Sequence, residues 1–291
     1  HFMMPSPLGV MGLKHVEKLG IPHTAAFHCQ PENITFTLHL GNSKRVNDFV
    51  YNRFRDSFFN RFTHIHCPSN MIADQLRQHG YTAQLHVISN GISPEYTYGK
   101  REKEPWMQGF FNVLMVGRYA GEKRQDELID ACAKSRHAQE IQVILAGKGP
   151  LEKKYRKLAE KLPNPIVMSF YEPARLLDIL HMADLYVHTS DAEIEAMSCM
   201  EAFACGLVPV IADSPRSATP QFALDERSLF PAGDTDALAA RIDWWIEHPE
   251  ERREMERRYA EHARQYSLEA SIRKTEEMFR QAIAEQRGAR A

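Results

Sequence analysis

The chain has 291 residues, with 36 Lys and Arg against 38 Asp and Glu, a formal net charge of −2. That length exceeds one average domain and fits two, and the balanced charge leaves no global basic field for nucleic acid. The five cysteines, Cys29, Cys67, Cys132, Cys199 and Cys205, lack metal-site spacing and read as reduced thiols of a cytosolic protein, and no apolar run approaches the ~18 residues of a spanning helix.

Along the chain, short apolar runs alternate with helical stretches, the pattern of a parallel α/β sheet. Residues 21–28 read as a strand. Residues 43–62 read as a cationic amphipathic helix, in which Lys44, Arg45, Arg53, Arg55 and Arg61 alternate with Phe49, Tyr51, Phe54, Phe58, Phe59 and Phe62. Such a helix either packs into a core with its arginines solvated or lies in a membrane interface. Residues 63–69 form the next strand, with Ser69 capping the helix that follows. A third strand lies within 83–93, before an Asn90-Gly91 turn. The polar, charged stretch 96–109 reads as a linker between a domain at 1–95 and one at 110–268, with 269–291 a closing helix.

The second series repeats the pattern. Strands are predicted at 111–117, 141–147, 165–171, 183–190 and 207–213. After the second of these comes a helix with Leu151, Tyr155, Leu158 and Leu162 on one face. A helix over 197–206 closes on Gly206 at its C′ position. The charged helical tail from Asp236 docks through Trp244 and Trp245.

Ligands of open α/β sheets sit beyond the carboxyl ends of strands. There the chain places Gly117, Arg118 and Lys123 after the first strand of this series. Two cations at that place suit a diphosphate, although by themselves they read sooner as solvated loop charges. Gly147-Lys148-Gly149-Pro150 makes a tight turn that either admits a ligand or merely joins strand to helix. Glu193, Glu195 and Glu201 surround a predicted helix start at Ala196, Met197 and Ser198, whose free amides form an anion site. Taken singly, each glutamate reads as a solvated charge. Asp234 of "DTD" reads as a helix cap rather than a metal ligand, and His64 and His66 of "HIH" read as structural, with no third ligand evident.

Four motifs in order carry a resemblance: "VISNGIS", "VGRYAGEKRQDELIDA", "LAGKGPLE" and "EIEAMSCMEAFACGLVPVIA". Together they resemble the retaining glycosyltransferases of family 4, and Glu193 and Glu201 fit that family's E-x7-E spacing. The resemblance implies an α/β, GT-B fold: two Rossmann-like domains with parallel sheets facing across a cleft, the N-terminal one incomplete because family members start with an earlier strand and glycine-rich loop. It implies that Arg118 and Lys123 bind the donor diphosphate, with Gly117 beside them, and that Glu201 holds the ribose. Glu193 contacts the donor sugar, the amides of Ala196, Met197 and Ser198 receive phosphate, and Phe170 and Tyr171 pass the base. His28 faces the reaction centre. The family form E-G-F-G-L is replaced by E-I-E-A-M, without its glycines.

"AFHCQPENIT" and "EIEAMSCMEA" are most similar to the branch that glycosylates diacylglycerol. This implies a nucleotide sugar as donor, UDP-linked glucose or galactose, and a lipid acceptor at an anionic membrane surface, contacted by Arg53, Phe54, Phe58, Phe59 and Arg61. It also implies no metal or other cofactor, and a cytoplasmic protein peripheral on the inner face of the cell membrane. The alternatives are the same transfer to a polysaccharide or soluble acceptor, or an inactive nucleotide-sugar-binding fragment.

Overall fold

The structure, a computed structural model, describes residues 1–38 and 40–288. Internal contacts divide the chain into two units, one of residues 1–91 joined by the chain from Leu268, the other Ile92–Ser267.

The first unit opens with α1 (Pro7–Leu19), where Ser6 accepts a hydrogen bond from the Gly9 amide and Pro7 occupies the first turn. Then come β1 (Ala25–Ala26), α2 (Pro31–Thr37), α3 (Lys44–Ser57), β2 (His64–Cys67), α4 (Asn70–Gln78) and β3 (Gln84–Val87). Ser69 caps α4 through the Ile72 amide, 3.3 Å away, as its position predicts. The strands pair in parallel in the order β1-β2-β3, with Ile65 opposite both Ala25 and Leu85.

The core of this unit is aromatic, and it corrects one expectation. Phe58 and Phe59, expected to face a membrane, are fully buried, and Phe62 is buried beside them. The Phe58 and Phe62 ring centroids lie 5.0 Å apart, and Phe59 lies 5.1 Å from Phe27. The reason is local. α3 stops at Ser57 and the chain tightens into a 3-10 turn at Phe59–Arg61, so these aromatics leave the helical surface spacing and turn inward. Arg61 is tied to Glu17 through two hydrogen bonds. α3 exposes Phe49 together with Lys44, Arg45, Asn52, Arg53 and Asp56, while Phe54 is half-buried. Leu8 and Met11 of α1 are also exposed.

The second unit holds β4 (Phe111–Val116), α5 (Gln125–Lys134), β5 (Ile141–Ala146), α6 (Glu152–Leu158), β6 (Val167–Ser169), α7 (Pro173–Met182), β7 (Leu185–His188), α8 (Met197–Ala204), β8 (Pro209–Asp213), β9 (Leu229–Pro231), α9 (Thr235–Glu247) and α10 (Pro249–Ala263). Its six parallel strands run β6-β5-β4-β7-β8-β9. Every side chain of β5 and β7 is buried, as expected of strands covered on both faces. Gly206 holds φ +91° past the end of α8, the left-handed C-terminal stop its position predicts. Tyr155 of α6 is buried, with Leu151, Leu158 and Leu162 packed partly on the same core. Asp234 caps α9 by accepting from the amides of Asp236 and Ala237. Trp245 is buried, and the Arg227 guanidinium sits 4.7 Å from the Trp244 ring centroid.

The unit boundaries differ from the predicted ones. Residues 96–109 belong to the second unit: Met107 is fully buried there, and Lys103 pairs with Asp184 at 2.6 Å. The last helix, α11 (Leu268–Gly288), belongs to the first unit, where Glu285 meets the buried His64 of β2 at 2.9 Å. Polarity of the segment 96–109 marked it as a tether, but its few apolar side chains find core sites, and burial outweighs that composition.

Candidate functional site

The chain of the second unit leaves β4 for β5 on one side and returns to β7 on the other. The carboxyl ends of β4 and β7 therefore splay apart at a topological switch point, where open sheets bind ligands. Gly117, Arg118 and Lys123 follow β4, and Glu193 with the start of α8 follows β7.

The loop after β7 is held by partners that the motifs did not reveal. Thr189 Oγ1 lies 2.8 Å from the carbonyls of both Lys123 and Arg124, so the end of β7 fixes the turn that carries the lysine. The Asp191 amide donates to the Glu122 carbonyl at 2.8 Å, while the Asp191 carboxylate pairs with Arg216 and accepts from Ser214 at 2.8 Å. Farther on, the Ala218 amide donates to the Glu193 carbonyl at 2.9 Å. A small polar run directly after a buried strand is the only sequence signal these residues carry.

Glu193 is buried rather than solvated. Its Oε1 receives the Lys123 ammonium, and His188 Nε2 lies 3.2 Å from the same oxygen. Burial works against the carboxylate, yet the attraction of Lys123 and the adjacent His188 outweigh it and hold Glu193 well below the usual carboxylate range. Arg118 is exposed, with Nη2 3.3 Å from Glu122 Oε1. The two cations thus differ: one is engaged with a buried anion, the other reaches into solvent.

α8 starts at Met197, and Ala196 before it has no polar side chain to cap the first turn; the amino end carries the positive end of the helix dipole. Ser198 Oγ bonds the Val116 carbonyl at 3.3 Å, stitching this helix end to the end of β4. Ala196 precedes the helix with φ +64°, a left-handed conformation that suits glycine. Where the family form has a glycine, this chain thus holds an alanine in a left-handed conformation. Glu195 is buried too, so it is not a solvated charge at the helix entrance. Glu201, just over a turn inside α8, is half-buried; burial, with Glu95 adding to it, pushes its carboxyl up to about 7.

Beside Arg118 opens a cavity of about 370 Å³ lined by Gly117, Arg118, Gly147, Lys148, Phe170 and Tyr171 among others. Phe170 is exposed, and Lys148 Nζ stands 4.2 Å from its ring centroid. A flat aromatic wall flanked by two cations suits a nucleobase and its phosphates. The Gly147 turn is explained by the protein alone. A Cβ there would fall 2.0 Å from the Gly117 carbonyl oxygen, so glycine lets the β4 and β5 loops touch, and it is not reserved for a ligand.

His28 lies in the first unit, just beyond β1. Its ring packs edge-on against His66 at 5.1 Å. Burial, and His66 beside it, lower its proton affinity to about 4, so it is a neutral imidazole near pH 7. His64 and His66 are buried and hydrogen-bonded, His66 to the Ile88 carbonyl at 2.6 Å. Among the described residues no cluster of three His, Cys, Asp or Glu is arranged to hold a metal, and no helix is long and apolar enough to cross a membrane.

Residues 99–265 match the family described as glycosyl transferases group 1, and residues 1–96 match glycosyltransferase family 4. A GDP-mannose-dependent alpha-mannosyltransferase of Corynebacterium glutamicum is 32% identical over 158 residues, 53% of this chain and 36% of that protein. The chain spans about a third to a half of the length of the curated relatives it matches. The catalytic domain of cholesterol-alpha-glucosyltransferase from Helicobacter pylori is 50% identical, with a TM-score of 0.53, covering 54% of this chain and 99% of that one. Anabaena Alr3699/HepE in complex with UDP and glucose superposes with a TM-score of 0.78 over 96% of this chain and 77% of its own, at 18% identity, a likeness of fold. The two family matches meet almost end to end on a pair of parallel α/β sheets, and the chain belongs to the group 1, family 4 glycosyltransferases, enzymes of GT-B fold.

Proposed function

We propose that this protein transfers a hexose from a nucleotide diphosphate sugar to a lipid hydroxyl with retention of the α configuration. The observation that carries the reading is the convergence of Arg118, Lys123 and the amino end of α8 at the carboxyl ends of β4 and β7, with the Phe170 cavity beside Arg118. The barrier to such a transfer is negative charge developing on the departing diphosphate. Two cations and a helix amino end stabilise that charge without a metal. In this reading the base lies on Phe170 and Tyr171, Glu201 accepts from the ribose diol, and the amides of Ala196, Met197 and Ser198 meet phosphate. Glu193 orders the sugar. No side chain is assigned as a nucleophile, so the acceptor attacks on the face the diphosphate leaves, and the phosphate takes the acceptor proton. His28, as a neutral ring, positions the acceptor or sugar.

The lipid acceptor is supported by the relative named for cholesterol and an alpha-glucosyl product, which matches over half the chain. It also supports glucose as the sugar, with galactose the other candidate. The relative named for GDP-mannose supports a competing donor. The membrane face is assigned to Leu8 and Met11, exposed with Lys14 and Lys18 on α1, and to Arg45, Phe49 and Arg53 on α3. These side chains support a position on the cytoplasmic face of an anionic membrane.

A mass-spectrometric screen of the protein in its full natural length checks the reading, with UDP-glucose, UDP-galactose and GDP-mannose against diacylglycerol, cholesterol and a soluble sugar acceptor. Glycolipid formed in the presence of a chelator is expected. Product on the soluble acceptor alone would favour the polysaccharide reading, and nucleotide-sugar binding without product would favour a binding fragment. In liposome flotation, Leu8→Ser with Met11→Ser, or Phe49→Ser, is expected to reduce recovery with anionic vesicles.

A further inference from the structure

β7 carries Tyr186 and His188 two residues apart, on one face of the strand. Tyr186 donates to Ser198 Oγ at 3.1 Å, and Ser198 donates onward to the Val116 carbonyl at 3.3 Å. Tyrosine has a single hydroxyl proton. With that proton directed to Ser198, the Tyr186 oxygen accepts from His188 Nδ1, 3.3 Å away; turned to the ring, it meets a bare Nδ1 and leaves the ring proton on Nε2. A neutral imidazole has only one N–H, so it serves Tyr186 or faces Glu193 Oε1, 3.2 Å from the buried Nε2, and not both. Lys123 meets the same carboxylate oxygen. A second ring proton lets the imidazole face both partners as a donor.

Resting on the nucleotide-sugar reading above, we propose that His188 is the positioning residue of Glu193: as the donor diphosphate draws Lys123 away, His188 takes a proton from solvent and becomes the counterion that keeps the carboxylate in place. The proton ends on the imidazole, with Nδ1–H on Tyr186 and Nε2–H on Glu193 Oε1, and no other bond is made or broken. The groups that face this ring are consistent with the exchange. Burial lowers the proton affinity of His188, Glu193 raises it and Lys123 lowers it. Departure of the ammonium therefore favours uptake. Tyr186 and Cys199, both fully buried, are pushed well up and stay neutral, and Glu201 acts on Tyr186 from α8.

The test is calorimetric titration with UDP-glucose and with GDP-mannose at about pH 6, in two buffers of different ionisation enthalpy, carried out in the Glu201→Gln background, which removes the carboxyl beside the nucleotide that is raised to about 7. Both probes are diphosphate diesters with no group titrating there. Binding is expected to take up roughly one proton. His188→Gln, which cannot take the charge, is expected to abolish uptake and to lower kcat more than nucleotide affinity. Tyr186→Phe keeps the ring, and frees it to move its single proton to Nε2, so uptake is expected to fall. If His188→Gln does not fold, as melting curves will show, Tyr186→Phe and the histidine ring resonances of the wild type decide. Binding without uptake, or uptake unchanged in the folded variants, overturns the proposal. Failure of both donors to bind overturns the nucleotide-sugar reading itself.

Discussion

The carboxyl edges of the two sheets both end parallel strands and carry opposite chemistry. At the edge of β4 and β7, beside Arg118, Glu193 is kept charged by the Lys123 ammonium, whose attraction outweighs burial. At the edge of β1 and β2, His28 and His66 are kept neutral, both chiefly by burial. A parallel α/β sheet thus supplies only a place where loops converge. Whether that place receives an anion or a neutral partner depends on the side chains that follow each strand, and on whether a counter-charge is folded in beside them.

The sharpest way to break this contrast is to discharge the first edge. Arg118→Ala is expected to lower kcat by about 10²- to 10³-fold with an unchanged melting temperature, because the side chain is exposed. Lys123→Ala should lose as much activity and also melt earlier, since it strands the buried Glu193 carboxylate. Steady-state kinetics and calorimetric melts of the two variants test this. Equal melting temperatures would mean that the Lys123–Glu193 pair carries no structural weight.

The second edge is tested by acid. A histidine whose proton affinity is lowered to about 4 on folding gives stability that is present above its unfolded value of about 6.5 and is lost as pH falls toward 4. His28→Gln should therefore flatten the fall in melting temperature between about pH 6.5 and 4. The same variant should leave the pH dependence of kcat/KM near neutrality unshifted, because the ring it removes does not titrate there.

Glu201 sits between the two chemistries, on the charged edge but raised to about 7. Its raised carboxyl costs the fold stability above the unfolded value near 4.3, and the cost grows as pH rises toward 7. Glu201→Gln is expected to raise the melting temperature at pH 8 and leave it unchanged at pH 4. It should also weaken nucleotide binding by about 10-fold, whereas Glu195→Gln should weaken it less. Smallest of the effects, Ala196→Gly relieves the left-handed alanine ahead of α8 and is expected to add about 1 kcal/mol of stability, read by denaturant unfolding.

The sequence by itself determined the alternation of strands and helices, because burial on both faces writes continuous apolar runs such as 143–146 and 185–187, and because caps such as Ser69 and Asp234 act within a few residues of themselves. It also marked the candidate loops, through cations and glutamates placed directly after strands. It did not show that Lys123 and Glu193 share an oxygen contact, since they stand seventy residues apart and meet only because β4 lies beside β7. Nor did it show the Tyr186–His188–Glu193 chain, or that Phe58 and Phe59 turn inward where α3 ends. Those features depend on strand order and on where a helix stops. Both are settled by non-local packing, and no local spacing encodes them.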